Sequence, residues 1–219
     1  MKKAMLLLLI SMTLLQVSQA QDKPRFWDDV QTIKHYDQMY APPANPILFV
    51  GSSSIRKWED MERTFAAYEV MNRGIGGAKV NDIILYLDDL VFRYQPREIV
   101  LYVGENDIPD GVPADTVLGR TKKLVEGIRE KLPETPIVYI SIKPSPSRDQ
   151  FRKIVQESNT LIKEYLQTQH NIKWIDVFTP MLTKDGSSRP EIFQSDMLHL
   201  NKDGYKIWKK LIQPTLLKK

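Results

Sequence analysis

Asp196 and His199 stand three residues apart in Asp-Met-Leu-His, late in the chain. That spacing can bring a carboxylate and an imidazole together on one turn. The carboxylate then holds one ring nitrogen and leaves the other free to take a proton. The plain alternative is a surface pair ahead of a helix capped by Asn201. A base of this kind needs a hydroxyl to deprotonate, and Gly51-Ser52-Ser53-Ser54-Ile55-Arg56 offers three. A serine on a strand-to-helix turn presents its hydroxyl beside free helix amides and the positive end of the helix dipole. The same letters also suit a simple turn, or a cap in which Ser53 or Ser54 accepts from a helix amide. Two further stretches could hold developing negative charge. Asn72-Arg73-Gly74-Ile75-Gly76-Gly77 lets backbone approach a ligand unobstructed, and Gly104-Glu105-Asn106-Asp107 carries a side-chain amide donor. Taken singly, these two read as a tight turn and an Asx-type turn. His35 and His170 lack such a setting and read as surface residues.

The elements that must carry these stretches are legible as alternating short apolar runs and longer amphipathic ones. Strands are predicted at Ile47–Val50, Tyr68–Met71, Glu98–Val103, Ile137–Ser141 and Lys173–Asp176. Their apolar runs are mostly continuous, which suits strands covered on both faces. Helices are predicted at Lys23–Tyr36, Lys79–Leu90, Pro113–Leu132, Gln150–Thr168 and Asn201–Ile212. Helical spacing is clear in Val80, Ile83, Ile84 and Leu87, and again in Val117, Leu124, Val125 and Ile128. Five strands with intervening helices predict an α/β fold, a three-layer α/β/α sandwich around a five-stranded parallel sheet. Ligands of such sheets bind beyond the carboxyl ends of the strands. The chemistry is therefore expected just after Val50, Met71 and Val103, and in the late loops.

Composition narrows the function classes. The chain has 219 residues and no cysteine, which removes disulfide scaffolds, thiolate metal sites and cysteine nucleophiles. Residues 1–20 read as a signal peptide: Lys2 and Lys3 precede an apolar run from Met5 to Leu15, and small residues at Ser18 and Ala20 suit cleavage after Ala20. The run is short for a membrane span, which needs about 20 residues. The mature chain, 21–219, is expected to be one exported domain, periplasmic or extracellular, without stable membrane insertion. The net charge of +4 is small and scattered, and the signal would take two lysines with it. That gives no case for nucleic acid, which wants a clustered basic stripe.

Together the four stretches resemble the SGNH hydrolases, the GDSL-type esterases, over Ile47 to Gly204. The resemblance implies a flavodoxin-like three-layer fold and a carboxylic ester hydrolase needing no metal or organic cofactor. Gly51, aligned with the family's first-block glycine, puts Ser53 in the nucleophile's place, with Ser54 the next candidate. Asp196 and His199 fit the terminal Asp-x-x-His, so the implied catalytic residues are Ser53, Asp196 and His199. The implied oxyanion hole is Ser53, Gly77 and Asn106, with Gly76 the alternative to Gly77. One departure stands out: the aspartate of Gly-Asp-Ser is here Ser52. That replacement alone supports a second reading, a catalytically inactive glycan-binding module. A nucleotide-binding flavodoxin-like protein leaves the Asp196/His199 pair unexplained.

The expected partner is a small-molecule or glycan ester. Phe49-Val50-Gly51 followed by serine, with Gly74-Ile75-Gly76-Gly77, is similar to the acetylhydrolase branch of the family and favours short acyl groups. A lysophospholipase or thioesterase is the other enzyme reading, and no apolar lid is apparent. Arg56, Trp58, Arg73, Lys143 and Arg189 either hold a sugar or are surface residues around one packed tryptophan, the reading preferred for most of them.

Overall fold

The apolar runs become a parallel sheet because the central ones are apolar on both faces and can be covered on both sides. In the computed structural model, which describes residues 23–218, the strands are β1 (Ile47–Gly51), β2 (Val70–Gly74), β3 (Glu98–Tyr102), β4 (Ile137–Ile140) and β5 (Ile172–Ile175). They lie in the order β2-β1-β3-β4-β5, all parallel. The central strands β1, β3 and β4 are buried throughout, whereas the edge strands β2 and β5 are partly open. This is the expected three-layer α/β/α sandwich. The signal peptide expected at residues 1–20 lies outside the described residues.

Alternation along the strands divides the core in two. Leu48, Val50, Ile99 and Leu101 face one layer, built from α1 (Trp27–Met39), α4 (Val80–Leu85), α5 (Leu87–Leu90), α6 (Ala114–Lys131) and α7 (Arg152–Gln167). Ile47, Phe49, Val100 and Tyr102 face the other, built from α2 (Ser53–Arg56), α3 (Met61–Thr64) and α8 (Lys202–Ile212). The second layer is rich in rings. Trp58 stacks on Tyr205 with centroids 4.8 Å apart, and Trp208 meets Tyr102 edge-on at 4.7 Å. Among the described residues, no helix is long and apolar enough to cross a membrane.

Most predicted elements shift by one or two residues at an end, and three differ more. The second strand starts two residues later and runs to Gly74, because Ala66–Tyr68 turn as a 3-10 helix and Glu69 adopts a left-handed conformation. Asn72, Arg73 and Gly74 are therefore ladder residues opposite Phe49, Val50 and Gly51, not a loop. The helix expected over 79–90 is broken at Tyr86, which leaves the helical region at φ −111°, ψ 22°. The first helix begins later, at Trp27, after a left-handed Phe26.

Gly51 is required by a close crossing at the carboxyl end of β1. It has a φ of 151°, and a Cβ there would lie 1.9 Å from the Tyr102 carbonyl oxygen. That same oxygen accepts the Ser52 N–H at 3.0 Å. Gly51→Ala must push β1 from β3 where the site begins. Overpacking of this kind costs about 1–3 kcal/mol or more, and each kcal/mol lowers Tm by about 2–4 °C at this size. A thermal melt should show that drop, and an unchanged Tm would refute the crossing.

Candidate active site

The carboxyl ends of the strands gather the four stretches at one edge of the sheet. β1 delivers Ser53 as the first residue of α2. Ser52 occupies the cap position without a side-chain cap bond, so the short helix opens with uncapped amides. Ser53 Oγ lies 3.1 Å from His199 Nε2. Ser54, one residue on, is 1 % exposed, and its carbonyl accepts from Tyr205 Oη at 3.0 Å. The contact with the imidazole thus belongs to Ser53, and Ser54 faces inward.

His199 is presented by a tight turn. Asp196 Oδ1 accepts the backbone N–H groups of Leu198 at 3.0 Å and His199 at 2.9 Å, while Oδ2 meets His199 Nδ1 at 2.5 Å. One carboxylate oxygen therefore shapes the backbone and the other orients the ring. Met197 takes a left-handed φ of 55° to close the turn. An antiparallel bridge between Phe193 and Leu200 closes the base of the loop. Asn201 caps α8, accepting from Asp203 and Gly204. The cap and the pair coexist, and the imidazole side chain is only 16 % exposed. Partial burial works against the Asp196 charge. The bonds from the His199 ring and from two amides prevail and hold its carboxyl well below the usual carboxylate range.

The two other stretches meet each other at the carboxyl ends of the same sheet. Asn106 Nδ2 donates to the Ala78 carbonyl at 3.1 Å, one residue past Gly77. Gly77 has a φ of 80°, a conformation that favours glycine, and a Cβ at Gly76 would come within 3.4 Å of Arg56 Nη1. Asp107, fully buried, locks the loop in place. It accepts the Val80 N–H at the start of α4 and pairs with Arg120 at 2.6 Å. Burial pushes its carboxyl up, against the pull of Arg120 and the amide. Asn72 ties the end of β2 to α2, donating to Ile55 O at 2.7 Å and accepting from Gly74 N at 2.9 Å.

Of the residues considered for a sugar, Trp58 is packed, Arg73 pairs with Asp37 inside the protein, Arg56 pairs with Asp29 and Arg189 with Glu191. Lys143 differs from the surface role expected for it: it is 1 % exposed. Its ammonium donates to Glu105 Oε1 at 2.7 Å and to Ser145 Oγ at 2.6 Å. Burial pushes the Lys143 ammonium down, and the Glu105 carboxylate opposes that. Burial would raise Glu105, but Lys143 and Arg148 hold it below the ordinary range. His35 and His170 lie on the surface, as expected. Arg148 was missed altogether. Its guanidinium donates to Asn106 Oδ1 and to the Glu105 carbonyl, both at 3.1 Å, and nothing local in Pro-Ser-Pro-Ser-Arg signals that reach.

A sheet-edge hydroxyl against an imidazole, beside glycine-lined backbone and an amide donor, is the equipment of acyl transfer. A family model agrees: residues 49–207 match the GDSL-like lipase/acylhydrolase family. The chain belongs to that family and is a carboxylic ester hydrolase. The platelet-activating factor acetylhydrolase IB subunit alpha1 of Bos taurus is 25% identical over 169 residues, covering 73% of this chain and 69% of its own. A GDSL-like lipase from Bacteroides thetaiotaomicron superposes with a TM-score of 0.72 at 19% identity, over 85% of this chain and 96% of that one. A protein from Streptococcus pneumonia superposes at 0.75 with 23% identity, over 87% and 92%.

Proposed function

We propose that this chain is an exported serine esterase that hydrolyses short-acyl esters, chiefly O-acetyl esters, with acetylated carbohydrate a fitting substrate class. The observation that carries the reading is the continuous contact from Asp196 through His199 to Ser53, 2.5 Å at one ring nitrogen and 3.1 Å at the other. In the proposed reaction His199 Nε2 takes the Ser53 hydroxyl proton as Oγ attacks the ester carbonyl carbon. Asp196 holds Nδ1–H and stabilises the imidazolium. The amides of Ser53 and Gly77 and the Asn106 side chain receive the oxyanion. The tetrahedral species collapses, the imidazolium gives its proton to the leaving alkoxide, and an alcohol departs. Water, deprotonated by the same imidazole, attacks the acyl-serine, and the imidazolium returns that proton to the departing Ser53 Oγ as the acid is freed.

Export is supported by the basic start and apolar run of residues 1–20, with release to the periplasm or exterior after cleavage behind Ala20. The preference for acetyl is supported by the Gly-Ile-Gly-Gly segment and by the acetylhydrolase relative. The test uses the purified chain with a fluorophosphonate probe and three substrates: p-nitrophenyl acetate, acetylated xylan and lysophosphatidylcholine. Tagging at Ser53 with acetyl esters turned over fastest is the expected result. Absence of any serine adduct would overturn the enzyme reading in favour of a binding module. Faster release from lysophosphatidylcholine would overturn the short-acyl preference.

A further inference from the structure

We propose that Arg148 is a positioning residue for ester hydrolysis: its guanidinium fixes the Asn106 amide with Nδ2 toward the reacting ester and strengthens that donor. The inference rests on Asn106 serving as an oxyanion donor. The two ends of an asparagine amide are alike in shape, so hydrogen bonds decide which end faces a site. Here Arg148 Nη2 donates to Asn106 Oδ1 at 3.1 Å, and Nδ2 meets the Ala78 carbonyl at 3.1 Å. Nδ2 keeps a second hydrogen. A cation on the carbonyl end draws electrons from the amide and makes its N–H a better donor, as in any chain of polarised hydrogen bonds.

The fork is well anchored. Nη1 takes the Glu105 carbonyl at 3.1 Å, so one planar group grips two neighbouring acceptors on the strand end that carries Asn106. Beneath it the Glu105 carboxylate is occupied by Lys143 at 2.7 Å, Ser145 at 2.8 Å and Tyr102 at 2.6 Å. Arg148 lies farther from that carboxylate, at 3.6 Å. Lys143 takes the closer place on the buried negative charge; Arg148 assists it from farther off, and its two N–H forks are spent on the Asn106 and Glu105 carbonyl oxygens. The same turn reaches the histidine loop, because Ser147 donates through N and Oγ to the Met197 carbonyl at 3.1 and 3.0 Å. One short segment after β4 therefore braces the amide donor on one side and the Asp196–His199 turn on the other.

Without Arg148 the amide can rotate and offer an acceptor to the developing oxyanion, which raises the barrier to reaction and leaves substrate binding little changed. A double-mutant cycle on the full chain with p-nitrophenyl acetate tests this. Arg148→Met keeps the aliphatic stem, and it should lower kcat about 10- to 100-fold, the scale of a misplaced catalytic group, with KM within about twofold. Asn106→Ala alone should cost about 10²–10³ in kcat. Adding Arg148→Met to it should cost nothing more, because the arginine acts through the missing amide. Arg148→Lys, which can reach only one of the two acceptors, should fall between; its own cycle decides the matter if the methionine variant does not fold. Equal losses in both backgrounds, or a wild-type kcat in the Met and Lys variants, would overturn the role of Arg148. A wild-type kcat in Asn106→Ala would instead remove the oxyanion assignment itself.

Discussion

Ser53→Ala should reduce kcat for p-nitrophenyl acetate by about 10⁴–10⁶-fold, leaving only what binding and the anion-receiving groups supply. The same change should abolish fluorophosphonate tagging. The cause is the position of one oxygen: Ser53 Oγ meets the imidazole at 3.1 Å, and alanine leaves that base nothing to activate. Ser54→Ala is the informative companion. Ser54 is buried and its backbone carbonyl, which receives Tyr205, is untouched by the substitution. Its kcat should stay within about threefold of wild type, since no group acting in the transition state is lost. Small losses in both variants would mean that either serine can attack. A full loss in Ser54→Ala alone would move the nucleophile by one residue. Both rates come from one steady-state assay, with circular dichroism to verify folding.

His199→Ala should cost about as much as the serine change, and the double variant no more than either alone. Residues that act as a unit are not additive: without the base the hydroxyl is an ordinary alcohol, and without the hydroxyl the base has no substrate proton. The structure gives a reason to expect the fold to survive. His199 lies at the end of a turn whose shape is set by Asp196 Oδ1 on two backbone amides, and those bonds do not need the ring. The measurement is the cycle of kcat values for wild type, both singles and the double. Additive losses would show that the two side chains act separately and that their contact is incidental.

Much of this arrangement can be read from the letters, for reasons that differ by element. β1, β3 and β4 are legible because central parallel strands are buried on both sides and so read as unbroken apolar runs. β2 is shifted because its position is fixed by pairing with β1, while the local sequence spends Ala66–Tyr68 on a 3-10 turn. The break at Tyr86 is invisible to helical spacing, since Val80, Ile83 and Leu87 are all buried on either side of it. Lys143 shows the limit most clearly. A lysine after a strand reads as a surface residue until its partner is known, and Glu105 is 38 positions away. The choice between Ser53 and Ser54 likewise depends on how α2 is turned toward the imidazole, which no spacing rule supplies.

The ring-filled layer has a bearing on how durable the site is. Ser53 rides on α2 and His199 lies three residues before the start of α8, and these two supports are wedged together by Trp58, Tyr205 and Trp208. The separation that governs proton transfer thus rests on an aromatic keystone as well as on the Asp196 turn that carries the ring. A molecule built this way keeps its reactive groups in register until that whole slab of the protein gives way.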